Sequence, residues 1–251
     1  MDVTHLVVPP EKAIASIFLL PDCNMACTFC ASEFGFDTLS MANATALLER
    51  LRSQGIRRVV LGGGEPFLWP HGLLDLCKAA KALNFEVQVC TNGTLIPKGF
   101  EHEPAIDRFI LPLEALRPQV HDQLRVLPGG HHHPRVMATV DRLLTAGHSL
   151  TFSTVVTREN HGDLASLADW LEGLAARGAR IHAWHLYRFL PVGRGGRRHA
   201  RDLEIPLTAY LKAVEALRTR DRGFRIYRRD NMQKATTVAY YWSQDGALQS
   251  A

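Results

Sequence analysis

The chain has 251 residues, 46% of them hydrophobic and 22% charged, with a net charge of +4. That length suits one large domain, the hydrophobic share excludes a disordered chain, and no run approaches the roughly 20 apolar residues of a membrane span. The opening stretch, MDVTHLVVPPEKAIASIFLLPDC, lacks the layout of a signal peptide, and five cysteines in an uneven cluster do not make a disulfide framework. A cytoplasmic protein in a reducing compartment is therefore expected.

In chain order the pattern alternates strand and helix. AIASIFLL is a strand-length apolar run, and SMANATALLERLRSQG is a helix with Ser40 or Asn43 as its N-cap and Gly55 as its stop. RRVVLGGGEP is a strand running into glycine, HGLLDLCKAAKALN a helix, FEVQVCTNG a strand with a turn, and DRFILPLEA a fourth strand. HPRVMATVDRLLTAG is a helix, SLTFSTVVT a strand, DLASLADWLEGLAARG a helix capped by Asp163 and closed by Gly178, RIHAWHLYRFLP a strand and PLTAYLKAVEALRTR a helix. Six apolar strands separated by helices or long loops predict an α/β fold with a parallel sheet, covered on its outer face. The order fits a partial (β/α)6 TIM-like barrel, and a doubly wound sheet is the competitor that periodicity does not separate. FRIYRR and AYYWSQDGAL predict a small C-terminal β-hairpin addition, the second with an Asp-Gly turn. Residues 1–205 form the expected barrel core and 206–251 an extension packed on it. The Gly/Arg-rich stretch GRGGRRHARD is expected as a mobile loop.

Cys23, Cys27 and Cys30 fall within eight residues, directly after the first strand. A tetrahedral zinc site wants four ligands, and no second close-set pair is present. A disulfide would strand one thiol. Three thiolates on an iron–sulfur cluster leave an iron with an open position, useful only if something else binds it. In (β/α) barrels the loops after strands build the active face. Two other strand ends point the same way. Gly62, Gly63 and Gly64 allow close backbone approach to a ligand, with the Glu65 carboxylate beside them suited to an ammonium group, and Thr91 and Asn92 offer polar contacts after the third strand.

These residues resemble the radical S-adenosylmethionine (SAM) enzymes. CNMACTFC matches their cysteine signature, with the aromatic Phe29 before the last cysteine. GGEP matches the second-strand motif and TNG a third-strand turn. HDQLRVLPGG and YRFLPVGRGG resemble the loops after strands four and six in the branch that includes molybdopterin-biosynthesis and peptide-modifying enzymes. The resemblance runs from about Ala13 to Gly196. It implies that Cys23, Cys27 and Cys30 ligate three irons of a [4Fe–4S] cluster and that SAM chelates the fourth. Phe29 would lie near the adenine, the Gly62–Glu65 segment would hold the methionyl amino group, and Arg125 would pair with the methionyl carboxylate. Thr91 and Asn92 would add SAM contacts, and Glu114 would take the ribose, where relatives often carry serine or aspartate. The implied chemistry is reductive SAM cleavage to a 5′-deoxyadenosyl radical that abstracts hydrogen from a substrate C–H bond. An electron donor such as flavodoxin or ferredoxin is implied, and no membrane or nucleic-acid partner is expected.

The remaining residues divide between packing and function. Cys77 reads as a buried helix residue. Cys90 and Tyr187 are the candidate catalytic residues, although core packing is the expectation for Cys90. The GGHHHPR run reads as a polar loop opening a helix, and Trp170 and Trp184 as core. From Arg188 to Arg229, eleven arginines and one lysine face four carboxylates, an excess of +8. This segment is either a solvated surface or, at Arg188, Arg194, Arg197 and Arg198, a clamp for an anionic substrate. The expected substrate is a peptide or small natural-product precursor. A viperin-like nucleotide-modifying enzyme is the second reading, and a non-catalytic zinc or redox-sensing protein the third.

Overall fold

A computed structural model describes residues 12–33, 35–231 and 236–251. The stretch read for a signal peptide lies, up to residue 11, outside the described residues. Six strands form where the apolar runs place them: β1 (Ile14–Phe18), β2 (Arg58–Gly62), β3 (Glu86–Cys90), β4 (Arg108–Pro112), β5 (Ser149–Val156) and β6 (Ile181–Arg188). They lie side by side in chain order, each parallel to the next. A doubly wound sheet reverses its strand order partway. Here every crossover steps in one direction, and right-handed crossovers then put the helices on one face. The sheet stays open, giving the partial barrel.

The helices are α1 (Met41–Ser53), α2 (Leu73–Ala82), α3 (Pro118–Leu124), α4 (His132–Thr145), α5 (Leu164–Ala176), α6 (Gly193–Gly196), α7 (Ala200–Leu203) and α8 (Leu207–Leu217). Ser40 caps α1, its hydroxyl accepting from Asn43 N at 3.2 Å. Asp163 precedes α5 without a side-chain cap, because its carboxylate takes two hydrogen bonds from Arg117 at 2.8 Å. Three short helices were not expected. α3 opens on Pro118 within the loop after β4, and α6 and α7 occupy the Gly/Arg-rich stretch.

Strand alternation sorts the side chains. Val59, Leu61, Val87, Val89, Phe109 and Leu111 face the helices and share one buried core with Leu47, Leu76, Cys77 and Val140. Trp184 is fully buried there, and Trp170 packs against it half-covered. The other face of each strand lines the lumen. At its N-terminal end Glu86 pairs with Arg108 at 3.0 Å and approaches Arg58 at 3.9 Å, giving the lumen a charged floor.

The C-terminal addition differs from the hairpin expected. FRIYRR supplies β7 (Arg225–Arg229), which lies parallel on β6. AYYWSQDGAL alone makes the hairpin of β8 (Val238–Gln244) and β9 (Ala247–Ser250), turning at Asp245 and Gly246 with φ of 51° and 73°. That hairpin sits at the opposite edge, with β8 parallel to β1. The two segments share a β pattern but find partners on opposite sides of the sheet, a choice that pattern does not encode. No helix among the described residues is long and apolar enough to cross a membrane.

Candidate active site

The cysteine loop leaves β1 at the C-terminal end of the sheet, and three other segments hold it. Gly64 N donates to Leu20 O at 2.7 Å and Glu65 N to Asp22 O at 2.8 Å. Ala26 N donates to Val126 O and Thr28 N to Leu124 O, at 2.8 and 3.0 Å. From α6, Arg194 N donates to Ser32 O, and Gly195 N and Gly196 N both donate to Cys30 O. Backbone approaches this tight exclude side chains: a Cβ on Gly64 would sit 1.9 Å from Asp22 O, and one on Gly195 would sit 2.4 Å from Cys27 O. The GRGG stretch is therefore an ordered clamp on the cysteine loop, not the mobile loop expected.

Cys23, Cys27 and Cys30 are free thiols, each half-buried. Burial pushes the Cys27 thiol up to about 12, opposed by Arg125 and reinforced by the charges of Cys30 and Cys23. Cys23 is raised by burial as well, with Cys30 adding to it. The three sulfurs thus lie within electrostatic reach of one another. Asn92 Nδ2 lies 3.9 Å from Cys23 Sγ, and Arg125 Nη1 lies 3.9 Å from Cys27 Sγ. Among the described residues no three His, Cys, Asp or Glu side chains could hold a single metal ion together. Three clustered thiols, with polar donors 3.9 Å from two of them, suit thiolate ligation of an iron–sulfur cluster.

Glu65 is fully buried between β2 and β3. Its Oε1 accepts from Thr91 Oγ1 at 2.7 Å and Phe67 N at 3.2 Å, and its Oε2 from Asn92 N at 2.8 Å. Burial raises its carboxyl against the pull of these donors. Its carboxylate thus fastens the GGGEP turn to the TNG turn, leaving mainly the glycine backbone open toward a ligand. Thr91 and Asn92, expected as ligand contacts, are themselves nearly buried, and Thr91 also accepts from Gly93 N at 3.0 Å.

Glu114 requires a correction. The ribose contact expected of it finds no free carboxylate oxygen: the side chain is fully buried, Oε1 accepts from Arg125 Nε at 2.7 Å, and Oε2 accepts from Val155 N at 2.8 Å. Glu114 instead orients Arg125, whose guanidinium lies 4.9 Å from the Phe29 ring centroid. A chain of imidazoles extends this network. Glu114 N donates to His121 Nδ1 at 3.1 Å, His121 Nε2 meets His132 Nδ1 at 2.7 Å, and His132 Nε2 meets Asn92 O at 2.8 Å. The amide at one end and the carbonyl at the other fix both rings as neutral Nε2–H tautomers. Burial agrees, lowering His121 to about 2 and His132 to about 4. His132 of the GGHHHPR run does open α4, but as a buried link between two site loops.

Cys90 also departs from expectation. It is exposed, whereas Val87 and Val89 take the core positions of β3. Its thiol opens into the lumen, where surrounding protein still pushes it up to about 11, with Arg125 opposing and Glu65 adding. Tyr187 faces the same space, within electrostatic reach of Cys90 and Tyr240, and burial raises its phenol. The alternation in EVQVC already placed Cys90 opposite the two valines. Of the four arginines expected as a clamp, Arg194 donates to Pro21 O at 3.0 Å, Arg197 pairs with Glu33 and Arg188 donates to Asp230 O at 3.3 Å. A groove of about 530 Å³, lined by Phe18, Phe36, Val192, Tyr240 and Trp242 among others, opens beside the cysteine loop.

Comparison with known proteins gives this site its class. The chain belongs to the Radical SAM superfamily, whose pattern it matches over residues 17–171. With that membership come a [4Fe–4S] cluster and SAM as cofactors. GTP 3′,8-cyclase 1 of Mycobacterium tuberculosis is 25% identical over 171 residues, covering 61% of this chain and 46% of that protein. A probable GTP 3′,8-cyclase of Methanopyrus kandleri is 28% identical over 216 residues, 83% of this chain and 67% of that one. Streptococcus suis SuiB bound to S-adenosylmethionine superposes with a TM-score of 0.72 at 16% identity, over 88% of this chain and 51% of that one. SuiB has also been solved with its precursor peptide SuiA. The chain spans about half the length of the curated relatives it matches.

Proposed function

We propose that this protein is a radical SAM enzyme that abstracts hydrogen from a peptide or small natural-product substrate held in the barrel lumen. One observation carries the reading: the cysteine loop, the GGGEP turn and the TNG turn are hydrogen-bonded together at the end of a lumen walled by Cys90 and Tyr187. Cys23, Cys27 and Cys30 would hold three irons. Phe29, the Gly62–Glu65 backbone, Asn92 and Arg125 would surround SAM, with Thr91 and Glu114 positioning them. When bound, the cluster and SAM supply a one-electron reductive cleavage that yields a hydrogen-abstracting species. The protein's part is to hold the loops in register, to keep bulk water from the lumen, and to present the substrate carbon. Tyr187 and Cys90, which face the lumen, would touch that substrate. An external donor such as flavodoxin or ferredoxin would supply the electron.

A nucleotide substrate is the second reading, favoured by the similarity to two GTP cyclases. Release of 5′-deoxyadenosine tests the common core. The chain is reconstituted anaerobically with iron and sulfide, then given SAM and a strong one-electron reductant. Wild type should release it, and Cys30→Ala should fall to background. Wild-type release no greater than that of Cys30→Ala, with SAM shown to bind, would reject the catalytic reading.

A further inference from the structure

The added strand β7 puts Arg225, Tyr227 and Arg229 on its lumen face, with Arg225 exposed at the strand's start, its Nη1 3.3 Å from Tyr227 Oη, and Arg229 at the strand's end. In its pairing with β6, Arg229 lies opposite Tyr187 and Tyr227 opposite His185, so these four side chains share the lumen face. The His185 and Tyr227 rings are 5.0 Å apart, His185 Nδ1 lies 3.3 Å from Tyr187 Oη, and the Arg229 guanidinium lies 5.2 Å from the Tyr227 centroid. Tyr240 of β8 reaches the same space from the opposite edge, its ring 6.0 Å from Phe18 of β1. Tyr187 and Tyr240 both feel the charge of Arg229.

Five other arginines of the basic segment pair with acids, among them Arg197 with Glu33 and Arg218 with Glu215. Arg220 and Arg222 pair with Asp169 and Glu172, and Arg228 pairs with Glu215 and Asp230. Arg229 pairs with no carboxylate among the described residues; its surroundings are phenols and the His185 imidazole, which burial and then Arg229 push down to about 3. One half-buried cation beside neutral hydroxyl donors, with Arg225 at the far, exposed end of the strand, matches one negative charge. The guanidinium fork fits two coplanar oxygens. A triphosphate would bring several charges to a single cation, leaving most of them uncompensated.

We propose that Arg229, with the hydroxyls of Tyr187 and Tyr240 beside it, forms the subsite that takes a carboxylate of the substrate inside the barrel. The proposal rests on the reading of the lumen as the reaction chamber and narrows its substrate class to carboxylic acids. Tyr240 also lines the aromatic groove, so an acid carrying an apolar group suits both.

Calorimetric titration of the cluster-loaded full chain, saturated with SAM and without reductant, tests it. The probes are phenylacetate as a small acid, N-acetylglutamic acid α-amide as a peptide side chain, and GTP as a polyphosphate. At least one carboxylate probe should bind wild type, with affinity falling about 10-fold or more in Arg229→Gln and less in Arg229→Lys. Which of the two binds tighter separates a small acid from a peptide. SAM affinity and the cluster absorbance should stay unchanged in both variants. Should Arg229→Gln not fold, protection of wild-type Arg229 from phenylglyoxal by the same probes, read by mass spectrometry, decides in its place. Absence of carboxylate binding to wild type, equal binding to the variants, tighter binding of GTP through Arg229, or loss of SAM affinity in the variants would each overturn the subsite. Because no reductant is present, carboxylate binding survives a failure of 5′-deoxyadenosine release, and the two claims fall separately.

Discussion

At Gly195 a single hydrogen atom decides whether the cysteine loop can close. Its amide holds Cys30 O at 3.0 Å, and a methyl group would sit 2.4 Å from Cys27 O and 2.7 Å from Cys30 N. Both are backbone atoms of the cluster loop and can yield only by moving the cysteines. Gly195→Ala should therefore fold yet retain less than half the wild-type iron and sulfide after reconstitution. Gly162→Ala, where nothing lies within 4 Å, should retain it all. Metal and sulfide analysis of the three proteins checks this. Cys90 shows how far such detail is legible beforehand. The alternation of EVQVC contains its direction, because Val87 and Val89 must face the helices. A free cysteine is so often a core residue that composition alone pointed inward. Glu114 was less legible, since its partners Arg125 and Val155 lie 11 and 41 residues away.

Two elements act through side chains that tie separate loops together. The His121–His132 pair links the turn after β4 to the turn after β3. The folded protein holds both rings neutral, whereas in the unfolded chain each ring protonates near its ordinary value of 6.5. The unfolded state thus binds more protons as acidity rises, and stability falls. For His132 the full benefit is present above about 6.5 and is lost as pH drops toward about 4. The loss is on the order of 3 kcal/mol. His121 continues the loss toward pH about 2. Urea midpoints measured from pH 8 to pH 4 should show this slope, and His132→Leu should be less stable at pH 8 with a shallower slope. The second tie is Tyr210 on α8, whose hydroxyl donates to Leu186 O at 2.7 Å and accepts from Arg229 N at 3.0 Å. It pins the end of β7 to β6. Tyr210→Phe leaves a buried carbonyl without its partner and should cost about 1–3 kcal/mol in chemical denaturation. The same change should weaken carboxylate binding by loosening Arg229.

Across the whole molecule, six parallel strands in chain order make a lumen open on one side, and the C-terminal segment extends both edges. β7 extends the β6 edge and β8 the β1 edge, while Ala239 and Tyr241 join the same core as Ala15 and Ile17. An uncovered β1 would present unpaired amides and carbonyls beside an apolar surface, a template for association. A chain truncated after Asp230 should therefore elute as oligomers in size-exclusion chromatography, where the full chain elutes as a smaller species. It would also lose Tyr240 from the lumen.

The amino-acid sequence by itself determined what depends on neighbours along the chain. Apolar periodicity fixed the six strands and their main helices. The motifs CNMACTFC, GGEP and TNG at successive strand ends carry the resemblance to the radical SAM enzymes, and the cofactors follow from that resemblance. The tertiary structure decided what depends on residues far apart in the chain. It sent FRIYRR and AYYWSQDGAL to opposite edges of the sheet, turned the GRGG stretch into a clamp, and satisfied Glu114 from two other elements. It also paired five of the segment's arginines with carboxylates while bringing Arg229 into the lumen. Backbone hydrogen bonding and hydrophobic period are local signals. Which edge a strand joins, and which carboxylate an arginine meets, follow only from the packed geometry, where partners separated by many residues compete for the same donors and the same space.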